Sequence, residues 1–129
     1  MTECAVATLG PACLDLSVYA GDENALAVYL HQGDIPVDIT AASFAAQARE
    51  VLLSDTVAIA ATFEIVDGPH GVAVMRWDGE QVRTLMNGCA KWRGVWDLQA
   101  EVPGVFGGDP FTVAAGKWIA RMDVTRSPG

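Results

Sequence analysis

A chain of 129 residues suits one domain, able to bury roughly two-thirds of its unfolded surface and to hold a core without covalent staples. Its 51% apolar and 19% charged residues exclude a disordered chain and leave room for an apolar surface that a partner covers. Eight basic against sixteen acidic residues give a net charge of −8, which argues against nucleic acid as a ligand.

The charge is unevenly spread. No Lys or Arg precedes Arg49, whereas Glu3, Asp15, Asp22, Glu23, Asp34 and Asp38 all do. Such a start lacks the basic region of a secretory signal, and no apolar run approaches the roughly 18 residues of a membrane span. The expectation is a chain folded in a cytoplasm, with no membrane partner. Cys4, Cys13 and Cys89 are odd in number and lack CxxC spacing, so free thiols are expected; a Cys4–Cys13 bridge is the alternative in an oxidising compartment.

Taken in order, residues 1–12 are small and turn-prone around Gly10-Pro11 and are expected to form a flexible or partner-ordered arm. Leu14 to Ala20 alternates as a strand, Gly21-Asp22-Glu23-Asn24 turns, and Leu26, Val28 and Leu30 resume the alternation; together they predict a hairpin. Gln32 to Pro36 is a second turn. Ala41 to Glu50 fits a short helix or a strand almost equally, and its strand-forming neighbours favour the strand. Val57, Ile59, Ala61, Phe63 and Ile65 alternate again, and Asp67 to Gly71 turns before Val72 to Met75. Val82 and Leu85, three apart behind a possible Asp78 cap and closed by Asn87-Gly88, predict a short helical segment near 78–86.

The last third carries the strongest pattern. Trp92, Trp96, Leu98, Ala100 and Val102 share one side, with Gly94 between the tryptophans, while Arg93, Asp97, Gln99 and Glu101 take the other. PGVFGGDP reverses the chain, Phe111-Thr112-Val113 reads as a short strand, and Trp118, Ala120, Met122 and Val124 alternate with Lys117, Arg121, Asp123 and Thr125. Val95 and Ile119 are the apolar exceptions on otherwise charged faces. The fold expected is all-β: a single Ig-like antiparallel β-sandwich of about seven to nine strands over 13–126, with 127–129 as a C-terminal tail.

Catalytic chemistry finds no footing in the sequence. His31 and His70 lie at Gly-containing turns without a second ligand at metal spacing. Ser17, Ser43, Ser54 and Ser127 lack a nucleophile-elbow context, and no phosphate-binding glycine motif occurs. Asp22-Glu23 and Asp109 would bind Ca²⁺ only if their loops converged. No catalytic residue, metal or cofactor is therefore expected. Among the tryptophans, Trp96 and Trp118 share phase with core positions, whereas Trp77 and Trp92 fall at element ends. Trp77 and Trp92 are the surface candidates, and with Val95 and Ile119 they form the expected interaction set; an exposed indole platform would suit a host-surface glycan.

The order LDLSVYAGD, GDIPVDIT, AQARE, FEIVDG, GVAVM, VWDLQ and GKWIARMDVTR resembles small β-sandwich virion proteins of tailed phages, particularly long-tailed phages of actinobacteria. The resemblance spans Leu14 to Arg126 and departs at Ala41-Ala42, where relatives often have Gly-Ala, and in the Cys-containing leader. It implies a non-enzymatic, multi-copy structural protein of the virion, assembled in the host cytoplasm. A minor tail or tail-tip (baseplate) component is the first expectation, acting through contacts with other virion proteins and with its own copies. A capsid decoration protein and a host-glycan-binding module are the alternatives.

Overall fold

The structure, a computed structural model, describes residues 5–7, 12–51 and 54–122. In chain order these form β1 (Ala5–Ala7), β2 (Ala12–Cys13), β3 (Leu16–Tyr19), β4 (Asn24–Gln32), β5 (Ile35–Pro36), β6 (Ser43–Arg49), β7 (Ile59–Ala60), β8 (Thr62–Asp67), β9 (Val72–Trp77), α1 (Gly79–Met86), β10 (Lys91–Glu101) and β11 (Phe111–Arg121). Two sheets carry the strands. A five-stranded sheet runs β1-β4-β9-β8 with β5 added to β4, and a six-stranded sheet runs β2-β11-β10-β6-β7 with β3 also on β11. The expected all-β sandwich with one short helix is what the chain builds; very short strands such as β2, β5 and β7 raise the strand number above nine.

Both flanks of the sandwich are bridged by a segment that changes sheet. Ala5–Ala7 runs parallel to β4, and the chain then runs parallel to β11 through β2 and β3. On the opposite flank β7 pairs with β6, and β8 pairs with β9 after a break at Ala61. The antiparallel pairing expected throughout thus holds for the body, while the N-terminal edge pairs are parallel. Of the segment 1–12 read as an arm, Ala5–Ala7 and Ala12 are paired; its other residues, and the tail 127–129, lie outside the described residues.

The hairpin expected from Leu14 to Leu30 is not formed. Its two strands exist, but β3 lies in the six-stranded sheet and β4 in the other. The turn between them is a corner held by Asn24, 4% exposed, whose Oδ1 accepts from the Tyr19 N–H at 3.0 Å. Its Nδ2 donates to the carbonyls of Tyr19 (3.0 Å), Asp22 (3.1 Å) and, more weakly, Trp77 (3.5 Å). One amide side chain thus satisfies the Tyr19 N–H and carbonyl on the side of β3 that faces away from β11.

Alternation decides what is buried. Leu26, Val28 and Leu30 of β4 and Ala73, Met75 and Trp77 of β9 face Trp96, Leu98 and Ala100 of β10 and Trp118 and Ala120 of β11. Ala46, Ala48, Ala100, Ala114 and Ala120 make the six-stranded sheet shallow, and that depth is filled by indoles. Trp77 reaches across the interface to Trp118, with ring centroids 5.4 Å apart, and to Trp96 at 6.3 Å. Trp92 meets Trp118 edge-on at 5.5 Å. Gly94 is required beside it, because a Cβ there would collide with the Arg49 carbonyl and the Trp92 ring.

β11 is one strand, where a separate short strand over Phe111–Val113 was expected. Leu98 pairs with Ala114 but Gln99 pairs with Thr112, so Val113 is an extra residue and both Val113 and Ala114 point inward. The slip in phase is what made the sequence read as two pieces. The predicted helix forms at α1, where Asp78 Oδ1 accepts from the N–H of Glu80 at 2.8 Å and of Gln81 at 3.4 Å. Val82 and Met86 bury one face, and Asn87 ends the helix in the left-handed region at φ 50°.

Candidate interaction surface

The outer face of the six-stranded sheet follows from the same alternation. β10 directs Lys91, Arg93, Val95 and Asp97 outward, and β11 directs Lys117, Ile119 and Arg121 outward. Register places them in rows: Tyr19 beside Arg121 beside Lys91, then Ser17 beside Ile119 beside Arg93, then Lys117 beside Val95 beside Arg49. Val95 and Ile119, half-buried, are therefore diagonal neighbours in the middle of a cationic field. Lys91, Arg93, Lys117, Arg121 and Arg49 are five of the eight basic residues of a chain whose net charge is −8.

None of these five makes an ion pair among the described residues. The pairs that do form lie elsewhere: Arg76 bonds Glu64 at 2.8 Å and Glu23 at 3.2 Å, Arg83 bonds Glu80 at 2.8 Å, and His70 bonds Asp67 at 2.9 Å. Arg49 instead donates to the Ser54 carbonyl and to Gln47 Oε1, both at 2.9 Å. The guanidinium of Arg93, followed by that of Arg121, pushes the Lys91 ammonium below its usual range, the signature of like charges held close. The outer face of the five-stranded sheet differs in kind. It presents Ala25, Ala27, Tyr29, Val72 and Val74, and its one guanidinium, Arg76, is already paired.

Of the four residues expected at an interaction surface, Val95 and Ile119 come together on this face. Trp77 does not belong there: it is 2% exposed, at the centre of the indole cluster. Both phases of VAVMRW are largely apolar, and only Arg76 marked which one faces water. Trp92 is half-buried, its ring packed over Gly94 and against Trp118. The exposed indole platform expected for a glycan is not formed by these tryptophans.

The remaining candidates are dispersed. Asp22-Glu23 adjoins the start of β4, whereas Asp109 lies beyond the other end of β10, so the loops imagined around Ca²⁺ do not converge. Among the described residues no group of three or more His, Cys, Asp or Glu is arranged to hold a metal, and no helix is long and apolar enough to cross a membrane. Cys13 and Cys89 are exposed thiols, and Cys4 lies outside the described residues. The residues missed in the sequence were the cations themselves. Their signal was present in the outward phase of two strands, but only the register brings Arg93 and Arg121 together across Lys91 and Ile119.

The chain matches no family model and no curated protein sequence. Among solved structures it is similar to the "N-terminal domain of phage TP901-1 ORF48", at 9% identity and a TM-score of 0.48, over 95% of this chain and 99% of that one. A likeness of that size carries no argument about what this chain does.

Proposed function

We propose that this chain is a non-enzymatic structural component of a tailed-phage particle, a minor tail or tail-tip protein that works through protein–protein contacts. The observation that carries the reading is the outer sheet face on which Val95 and Ile119 sit among cations without ion partners among the described residues. A surface of that kind gains by being covered with an apolar, acidic partner. The ordered likeness from Leu14 to Arg126 supplies the kind of particle. The glycan reading loses its main support, because Trp77 is inside the core and Trp92 lies against Trp118.

Imaging intact virions at side-chain resolution tests the proposal. Density for this chain in a ring of repeated copies at the tail tip is the expected result. Density across the capsid lattice would make it a decoration protein, and absence from the particle would end the virion reading.

Substitution on the face gives a second test. Val95→Glu and Ile119→Glu are expected to leave the melting temperature within about 5 °C of the parent, since both side chains point away from the core. Both are expected to weaken incorporation into particles. Loss of the folded monomer, read by circular dichroism, would mean that these side chains are core.

A further inference from the structure

Most cations of this molecule are gathered toward one end of one sheet face, whereas its carboxylates occur at both ends. Asp15 Oδ1 accepts from the Lys117 N–H at 2.9 Å, and Asp22, Glu23, Asp78 and Glu80 lie about the corner that follows Tyr19. At one end, the outer face of β10 and β11 holds Lys91, Arg93, Lys117 and Arg121, with Arg49 alongside on β6. Asp97 begins the change of sign, and Glu101 completes it at the far end of the same strand, about 30 Å away at the rise of an extended chain. Glu101 pairs with Ser43 at the start of β6 and leads into the loop after β10. In the other sheet the β4–β5 turn and the turn after β8 lie at the end away from the Asn24 corner. The turn after β8 meets the segment entering β6 through the Ile39 N–H, which donates to the Gly68 carbonyl at 2.8 Å. These segments carry Asp34, Asp38, Asp67 and Asp109, and residues 31–45, 64–72 and 99–112 contain no Lys or Arg.

Apolar groups accompany both poles. Ile35 is 71% exposed and Phe106 55% exposed at the acidic end, while Tyr19 (39%) stands one row from the half-buried Ile119 at the basic face, with Val95 diagonal to Ile119. Phe106 is held at φ 48°, in left-handed backbone that a bulky side chain rarely adopts, and its ring stands edge-on to Phe111 at 5.2 Å. Backbone held in a sparsely populated region clusters at functional sites, and here it keeps an aromatic ring in solvent.

We infer that the occupant of the basic face is the acidic end of a second copy of this chain, so that copies associate head to tail. The inference rests on the reading of this protein as an assembly component and names the partner of that surface. Charge and apolar character match at both poles: carboxylates with Phe106 and Ile35 on one, cations with Val95, Ile119 and Tyr19 on the other. A polyanion such as nucleic acid would use the cations and leave the aliphatic residues unanswered. Because the two surfaces differ, the contact is heterologous, and its repetition gives a ring or a stack.

Sedimentation velocity on the purified chain tests this at about 100 µM in about 20 mM and about 500 mM salt, where screening lengths differ severalfold. Oligomers at low salt that dissociate at high salt are expected. Arg93→Glu/Arg121→Glu and Glu101→Lys/Asp109→Lys are each expected to weaken association at least about tenfold alone, and the equimolar mixture of the two variants to associate again. All four side chains are exposed, and thermal melts verify that both variants fold. A monomeric parent at low salt overturns the inference, as do variants that associate like the parent or a mixture that stays monomeric. A monomeric parent that retards a single-stranded oligonucleotide, with retardation lost in Arg93→Glu/Arg121→Glu, gives the face to a polyanion and equally overturns it. Virions in which this basic face meets a different protein would sink the inference and spare the virion reading. Head-to-tail oligomers of a chain missing from virions would do the reverse.

Discussion

Trp118→Ala is expected to lower the unfolding free energy by about 3–5 kcal/mol, a large share of the roughly 5–15 kcal/mol that holds a domain of this size. Trp118 is fully buried and touches indoles from both directions, Trp77 at 5.4 Å and Trp92 at 5.5 Å. The alanines around it have no side chain to move into the space, so the cavity stays open. In thermal denaturation the loss corresponds to about 10–20 °C. Trp118→Phe is expected to behave differently. The indole N–H of Trp118 is buried with no hydrogen-bond partner, as is that of Trp77. Phenylalanine gives up part of the ring volume but also removes that unpaired donor, so a loss of only about 1–2 kcal/mol is expected. Equal losses for the two substitutions would show that the N–H is satisfied in solution after all.

What the sequence made legible was local, and what it hid was pairing. Trp96, Leu98 and Ala100 announce an inward face because Asp97, Gln99 and Glu101 contradict burial on the other. α1 is equally readable, because Asp78 and Asn87 are residues with a physical reason to stand at helix ends. By contrast, the Gly21–Asn24 turn looks like any hairpin turn. That β3 and β4 part company there follows from pairings distant in sequence, β3 with β11 and β4 with β9. Val113 misled for a related reason: a bulge adds one residue and inverts the phase that the alternation argument relies on. The candidate surface was half legible. Val95 and Ile119 stood out as exceptions to their own strands. The cations around them gain their meaning only when register places Arg121 opposite Lys91 and Ile119 opposite Arg93.

Asn24 tests how much one corner contributes. Asn24→Leu is expected to cost about 2–4 kcal/mol, since the Tyr19 N–H loses its acceptor inside the protein and the Tyr19 and Asp22 carbonyls lose a donor. Asn24→Asp separates the electrostatics from the shape. One carboxylate oxygen could still accept from Tyr19, but the other would replace an N–H₂ group that faces three carbonyl oxygens. The ionised form is disfavoured in that buried setting, so the folded-state pKa of the new carboxyl rises above its unfolded value of about 3.9. Between those two pKa values the folded state binds more protons than the unfolded one, and stability therefore falls as pH rises. The expected result is a variant clearly less stable than the parent at neutral pH, with part of the deficit recovered towards about pH 4, where a protonated carboxyl can again donate to a carbonyl. Urea melts of both proteins across that range would measure it. A deficit that does not change with pH would mean that the corner opens to water and that Asn24 holds it by packing rather than by its hydrogen bonds.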